Sequence, residues 1–142
     1  VEEVFKSLHV GNRYKLLPVS HAFHSPLMAD TVDHFRQVLQ TVALRPPTIP
    51  LVSNVTGHLV TPDQQPGSTT TDLTDVDYWA HHITLPVRFL DGIQTTIQQA
   101  GARVLIEVGP KPTLINMGKQ CLRGDAQPLD LQWLPTIDPS ND

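Results

Sequence analysis

Residues 19–28 read Val-Ser-His-Ala-Phe-His-Ser-Pro-Leu-Met, which sets His21 and His24 three apart before a Ser-Pro pair. Ser25-Pro26 is a helix start, a hydroxyl acceptor at the N-cap followed by a residue with no N–H to leave unpaired. Met28, Val32, Phe35, Leu39 and Val42 then recur at steps of three and four. That spacing predicts a helix of about four turns with one apolar face. The two histidines therefore sit in extended chain ahead of a helix. Three readings are open: a metal clamp, solvated residues at a helix start, or the base of a catalytic site.

The elements around this stretch alternate. Val1, Val4, Phe5 and Leu8 have helical spacing, and Tyr14 to Val19 is a short apolar run that Pro18 marks as an edge strand. Leu51 to Val55 is a short strand closed by Thr56-Gly57, and Thr61 to Thr74 is a polar, aperiodic surface loop. A short helix is expected over Asp77 to Ile83, capped by Asp75 or Asp77. Pro86 opens another helix, with Phe89, Ile93, Ile97 and Ala100 inward and Gly101 as its stop. Arg103 to Val108 is nearly unbroken apolar sequence, as in a strand covered on both faces of a parallel sheet. Leu114, Met117, Cys121 and Leu122 mark a last helix, and Arg123 onward reads as loop. This rhythm is that of an α/β layer fold. Three or four strands are too few for a covered sheet, so the chain is expected to be part of a larger fold.

The totals restrict function. At 142 residues, 39% hydrophobic and 17% charged, the chain has enough apolar material for one core and is not a disordered tail. A net charge of −4 with no Lys/Arg run argues against nucleic acid or an anionic membrane as partner. No apolar stretch approaches the length of a membrane span, and the first residues are acidic where a signal peptide is basic. A single cysteine, Cys121, excludes an internal disulfide and a cysteine-rich zinc module, which fits a reducing, cytoplasmic setting.

Four segments in order carry a resemblance. VSHAFHSPLM (Val19 to Met28), SNVTG (Ser53 to Gly57), DYWAHHITLPVRF (Asp77 to Phe89) and IEVGPKPTL (Ile106 to Leu114) resemble the acyltransferase domain of modular polyketide synthases. That family is similar to malonyl-CoA:acyl-carrier-protein transacylases. The resemblance implies an α/β-hydrolase-like core with an inserted ferredoxin-like subdomain. Residues 1–19 match the end of that subdomain, 20–122 the C-terminal part of the core, and 123–142, with Trp133 to Pro135, the linker that follows. The family's nucleophilic serine lies in a Gly-x-Ser-x-Gly turn upstream of the histidine motif. None of the eight glycines here forms that pattern, and the family's substrate-carboxylate arginine has no match either. The chain thus resembles the C-terminal half of the enzyme, and alone it is expected to be inactive.

The resemblance assigns roles. His24 matches the catalytic histidine, which takes the proton of the serine and returns it to the leaving thiol. Imidazole suits both steps because its ordinary pKa is ~6.5. The main-chain carbonyl of His82 matches the group that orients this base, and the His82 side chain is expected to be exposed. His21 and Phe23 match specificity positions in the form associated with malonyl units. The form with serine in place of Phe23 goes with methylmalonyl, because a phenyl ring fills the space of the extra methyl. Asn54 matches no assigned role; it either shapes the floor of the site or makes a turn. The implied substrate is malonyl-CoA, with no bound cofactor. The implied partners are an acyl carrier protein, through its phosphopantetheine thiol, and the upstream half of the domain. Arg88, Lys111, Lys119 and Arg123 are candidates for contacting that acidic partner, or simply scattered surface charge.

Two alternatives stand beside this. His21, His24, His81 and His82 could offer nitrogens to zinc, but the first pair lies in extended chain and not at i and i+4 on a helix. The chain could also be a scaffold that kept the fold and lost the chemistry.

Overall fold

In the computed structural model the described residues are 2–7, 19–64, 72–122, 128 and 130–137. The order is α1 (Glu2–Ser7), a 3₁₀ turn (Pro26–Met28), α2 (Ala29–Leu39), β1 (Leu51–Val52), β2 (Leu59–Val60), α3 (Val76–His82), α4 (Phe89–Gln98), β3 (Val104–Glu107), α5 (Thr113–Cys121) and β4 (Gln132–Pro135). The expected strand over Tyr14 to Val19 lies outside the described residues except for Val19, which is exposed. The middle of the Thr61 to Thr74 loop also lies outside them; its described ends are irregular.

Ser25 starts the α2 region as its chemistry dictates. Its Oγ accepts from the Leu27 amide at 3.3 Å, and Pro26 follows in the first turn. Leu39 is buried and Val32 and Phe35 are half-buried, whereas Val42 is half exposed because the helix has ended before it. α3 is capped by Asp75, whose Oδ1 accepts from the Asp77 amide at 2.9 Å. α2 and α3 pack together. Arg36 of α2 ties them, its Nε 2.7 Å from Oδ1 of Asp77, while its Nη1 reaches Asp33.

Between these helices, β1 and β2 form an antiparallel hairpin, Leu51 facing Val60 and Val52 facing Leu59. Its turn needs Gly57, which has φ +73, and a Cβ there would lie 2.5 Å from the Cβ of Asp91. Ser53, fully buried, anchors the turn. Its Oγ accepts from the amides of Val55 and Thr56 and bonds the Tyr78 hydroxyl at 2.8 Å.

Residues 86–88 have no regular structure, so the helix expected from Pro86 begins three residues later, at Phe89. Ile97 is buried and Phe89 and Ile93 half-buried, but Ala100 is exposed, beyond the last turn. Gly101 stops the chain with φ +69.

Two expectations need correction. Residues 123 onward read as loop, yet Gln132–Pro135 forms β4, parallel to β3 with Leu105 beside Trp133 and Ile106 beside Leu134. The reason is Trp133, whose ring lies against Gly118 of α5. The expected last helix is α5, which turns Ile115 and Gly118 inward, with Leu122 buried just after it, while Leu114 and Met117 are half exposed. The inward set is fixed by where α4 and Trp133 meet the helix. Secondly, β3 is not covered on both faces among the described residues: Leu105 and Glu107 are half-buried, whereas Val104 is 48% and Ile106 61% exposed on the other face. β3, α5 and β4 nonetheless form the parallel unit with a helical crossover that an α/β fold requires. No described helix is long and apolar enough to cross a membrane.

Candidate active site

The end of α3 creates the site. An α-helix leaves its last carbonyls without intrahelical donors. Here the amides of Ile83, Thr84 and Leu85 turn back onto the carbonyls of Ala80 and His81. Pro86 has no N–H to donate and disfavours a helical conformation at the residue before it, so the helix cannot continue. The carbonyls of His82, Ile83 and Leu85 are left to other donors.

His24 supplies them. Its amide donates to the Ile83 carbonyl at 3.0 Å. Its ring Nδ1 lies 3.0 Å from the His82 oxygen and 3.2 Å from the Leu85 oxygen. A carbonyl only accepts, so Nδ1 carries a proton, and in the neutral ring Nε2 is the nitrogen with the lone pair. His24 also has φ +57, a left-handed conformation that a non-glycine residue adopts at a cost of about 1–3 kcal/mol. The backbone bond to Ile83 and the two ring contacts offset that cost. The result is an exposed imidazole in a single tautomer, with an unpaired nitrogen available as a base.

His21 and Phe23 flank it in the same loop. Their rings are 6.0 Å apart, tilted by 58°, with the His21 Nδ1 2.9 Å from Ser20 Oγ. Phe23 is 53% exposed. Asn54 stands apart. Its carbonyl accepts from the Arg88 amide at 2.8 Å, which ties the hairpin turn to the segment after α3. Asn54 lines a cavity of about 170 Å³ with Val52, Phe89 and Ile93.

The His82 side chain is not exposed as expected; it is half-buried. α3 packs it among the rings of Tyr78, Trp79 and His24, at centroid distances of 6.4, 6.5 and 5.4 Å. Burial, and then the neighbouring His24, hold its pKa below the usual histidine range. His81 points elsewhere, its Nδ1 on the Asp77 carbonyl at 2.8 Å. Among the described residues no three His, Cys, Asp or Glu side chains gather as a metal site.

The carbonyls of Ile83 and Leu85 were not visible as site residues in the sequence, because a backbone contact leaves no side-chain signature. The signal that could have found them is Pro86 after a short helix, which fixes where free carbonyls must lie.

Against known families, residues 1–141 match the acyl transferase domain model. The chain belongs to the acyl transferase domain family. Over 122 residues, 84% of its length, this acyl transferase chain is 40% identical to polyketide synthase GfsB of Streptomyces halstedii. Over 139 residues it is 35% identical to the PKS-NRPS hybrid synthetase ATPKS of Aspergillus niger. It spans 2% and 7% of those two synthases. The crystal structure of the acyl transferase domain of SpnD, in complex with 2-(pent-4-yn-1-yl)malonyl, superposes with a TM-score of 0.76 at 31% identity, over 95% of this chain and 29% of that one. The malonyl-CoA:acyl carrier protein transacylase FabD of Xanthomonas oryzae superposes at 0.73 with 20% identity, over 96% of this chain and 38% of that one, a likeness of fold. The acyl transferase α/β architecture expected from the sequence is therefore the one found.

Proposed function

We propose that this chain is the base-bearing part of an acyl transferase that loads malonyl units in polyketide synthesis. The unit moves from malonyl-CoA to a serine and then to the phosphopantetheine thiol of an acyl carrier protein. The observation that carries this is the His24 ring held through Nδ1 by the carbonyls of His82 and Leu85, with Nε2 free.

The serine is supplied by a Gly-x-Ser-x-Gly turn outside these residues, as in the family the chain resembles. His24 Nε2 takes the hydroxyl proton as the serine oxygen attacks the thioester carbon. The imidazolium that forms keeps Nδ1–H on two carbonyl oxygens, whose partial negative charge favours it. Collapse of the tetrahedral intermediate breaks the carbon–sulfur bond, and Nε2–H protonates the coenzyme A thiolate. The second half-reaction repeats this with the carrier thiol as nucleophile and the serine as leaving group. The reaction so written uses no resident cofactor. Phe23, beside His21, is the wall that limits substituents on the malonyl α-carbon, and Asn54 supports the floor through the hairpin. The exchange with a coenzyme A pool fits a cytoplasmic setting.

The test is acyl labelling by radioactive malonyl-CoA, of the chain alone and of the chain joined to a serine-bearing upstream half. The expected result is labelling of the joined domain only, with malonyl preferred over methylmalonyl. Equal loading of both would remove the selectivity reading, and no labelling of a folded joined domain would remove the function.

A further inference from the structure

In the reaction above His82 acts only through its carbonyl, yet its side chain is the anomalous group of the site. Its Nε2 is enclosed and has no hydrogen-bond partner among the described residues. The ring lies 5.4 Å from that of His24, tilted by 41°. On the other sides stand Tyr78, itself fixed by Ser53 at 2.8 Å, and Trp79, whose Nε1 donates to the Leu73 carbonyl at 2.9 Å. An enclosed nitrogen with no acceptor to receive a second proton penalises the charged imidazolium strongly.

The charged groups on the elements around it offer no compensation. The loop 20–25 contributes His24 and His21. α2, packed on α3, contributes Arg36, which Asp77 and Asp33 already engage. α3 itself contributes Asp77 and His81, and the segment after it Arg88, which pairs with Asp91. No carboxylate among these is bonded to the His82 ring.

We propose that the His82 imidazole is a positioning residue for His24: uncharged, it backs the His24 ring onto the carbonyls of His82 and Leu85, and its protonation in acid unseats that ring. A second positive charge at this separation repels the imidazolium and forces the enclosed nitrogen to find water. Protonation of the His82 ring thereby sets the pH below which the His24 ring leaves the two carbonyls. This rests on His24 being the base, but its test needs no acyl transfer.

The test is imidazole NMR of the whole chain labelled with ¹⁵N-histidine, taken from neutral into acid pH. Three proteins are compared: wild type, His82→Phe, which keeps a ring without a titrating group, and His82→Ala. In the wild type, His24 should show protonated Nδ1 at neutral pH. Its ring signals should show an inflection where His82 protonates, below the ordinary histidine range. His82→Phe should keep the tautomer and lose that inflection. His82→Ala should raise the population of the other His24 tautomer several-fold. The proposal is overturned if His82 titrates in the ordinary range, if the inflection persists in His82→Phe, or if a folded His82→Ala keeps the wild-type tautomer. Should acyl labelling fail while these signatures hold, the base role falls and the positioning contact stands.

Discussion

Nδ1 of His24 sits 3.0 Å from the carbonyl oxygen of His82, 58 residues further along the chain. The contact joins two elements that the fold brings together by packing α2 on α3. It holds an exposed histidine, which could otherwise rotate freely, in one orientation, as the proposed base requires. The outcomes below follow from that contact and from the packing that holds it.

Phe23 is the residue whose size should decide which extender is loaded. Phe23→Ser opens the space of an α-methyl beside His24. In the joined, serine-bearing domain the methylmalonyl-to-malonyl ratio of kcat/KM should rise about 10-fold or more, the scale of one methyl in a pocket. Competition between the two labelled thioesters measures it, and an unchanged ratio would take Phe23 out of the pocket.

Trp133 tests whether β4 belongs to the fold. A Cβ at Gly118 would lie 2.6 Å from its ring. Gly118→Ala should therefore destabilise by about 1–3 kcal/mol in denaturant unfolding, as overpacking does. In a Trp133→Ala background the same substitution should cost much less, because its opponent is gone. Equal costs in the two backgrounds would mean that β4 does not press on α5.

Ser53→Ala removes a fully buried hydroxyl that serves two amides and Tyr78. The amides lose their acceptor, so the expected loss is about 1–3 kcal/mol. Tyr78→Phe should cost less, since Ser53 keeps its amide donors. Urea unfolding of the two variants gives the order, and the reverse order would contradict the assignment.

Acid should weaken the frame before it reaches the core. The Arg36 hydrogen bond, opposed by burial and aided by the charges of Arg36 and His81, holds the Asp77 carboxyl below the usual range. Burial raises the pKa of Glu107, but bonds from the amides of Leu114, Ile115 and Thr113 outweigh it and leave the group lowered. A carboxylate depressed on folding stabilises above its unfolded pKa, ~3.9 for Asp and ~4.3 for Glu, and that stability fades as pH falls through the folded value. The melting temperature should thus decline below about pH 4, and less so in Glu107→Gln or Asp77→Asn. Wild-type and variant curves that stay parallel would remove both groups from the account.

Much of this was legible in the sequence where chemistry is local. Ser25-Pro26 announced its turn, Asp75 or Asp77 a cap that proves to be Asp75, and Gly101 its stop, because each acts on backbone groups within a few residues. The histidine motif and its three companion segments pointed to the acyl transferase family, and so to His24. What stayed hidden depends on distant packing. β4 forms because Trp133 finds Gly118, and α5 turns Ile115 inward and leaves Leu114 outward. The His82 ring is covered by Tyr78 and Trp79, four and three residues earlier on the same helix, and by His24 from another loop. Helical spacing alone allows those first two contacts, but it does not say which face of α3 meets α2.

The most direct measurement of the central claim is the rate of acyl-serine formation in the joined, serine-bearing domain with and without His24→Ala. Loss of a general base should slow that step by about 10²–10⁴-fold while the domain stays folded. A rate within a few-fold of wild type would show that the proton leaves the serine by another route.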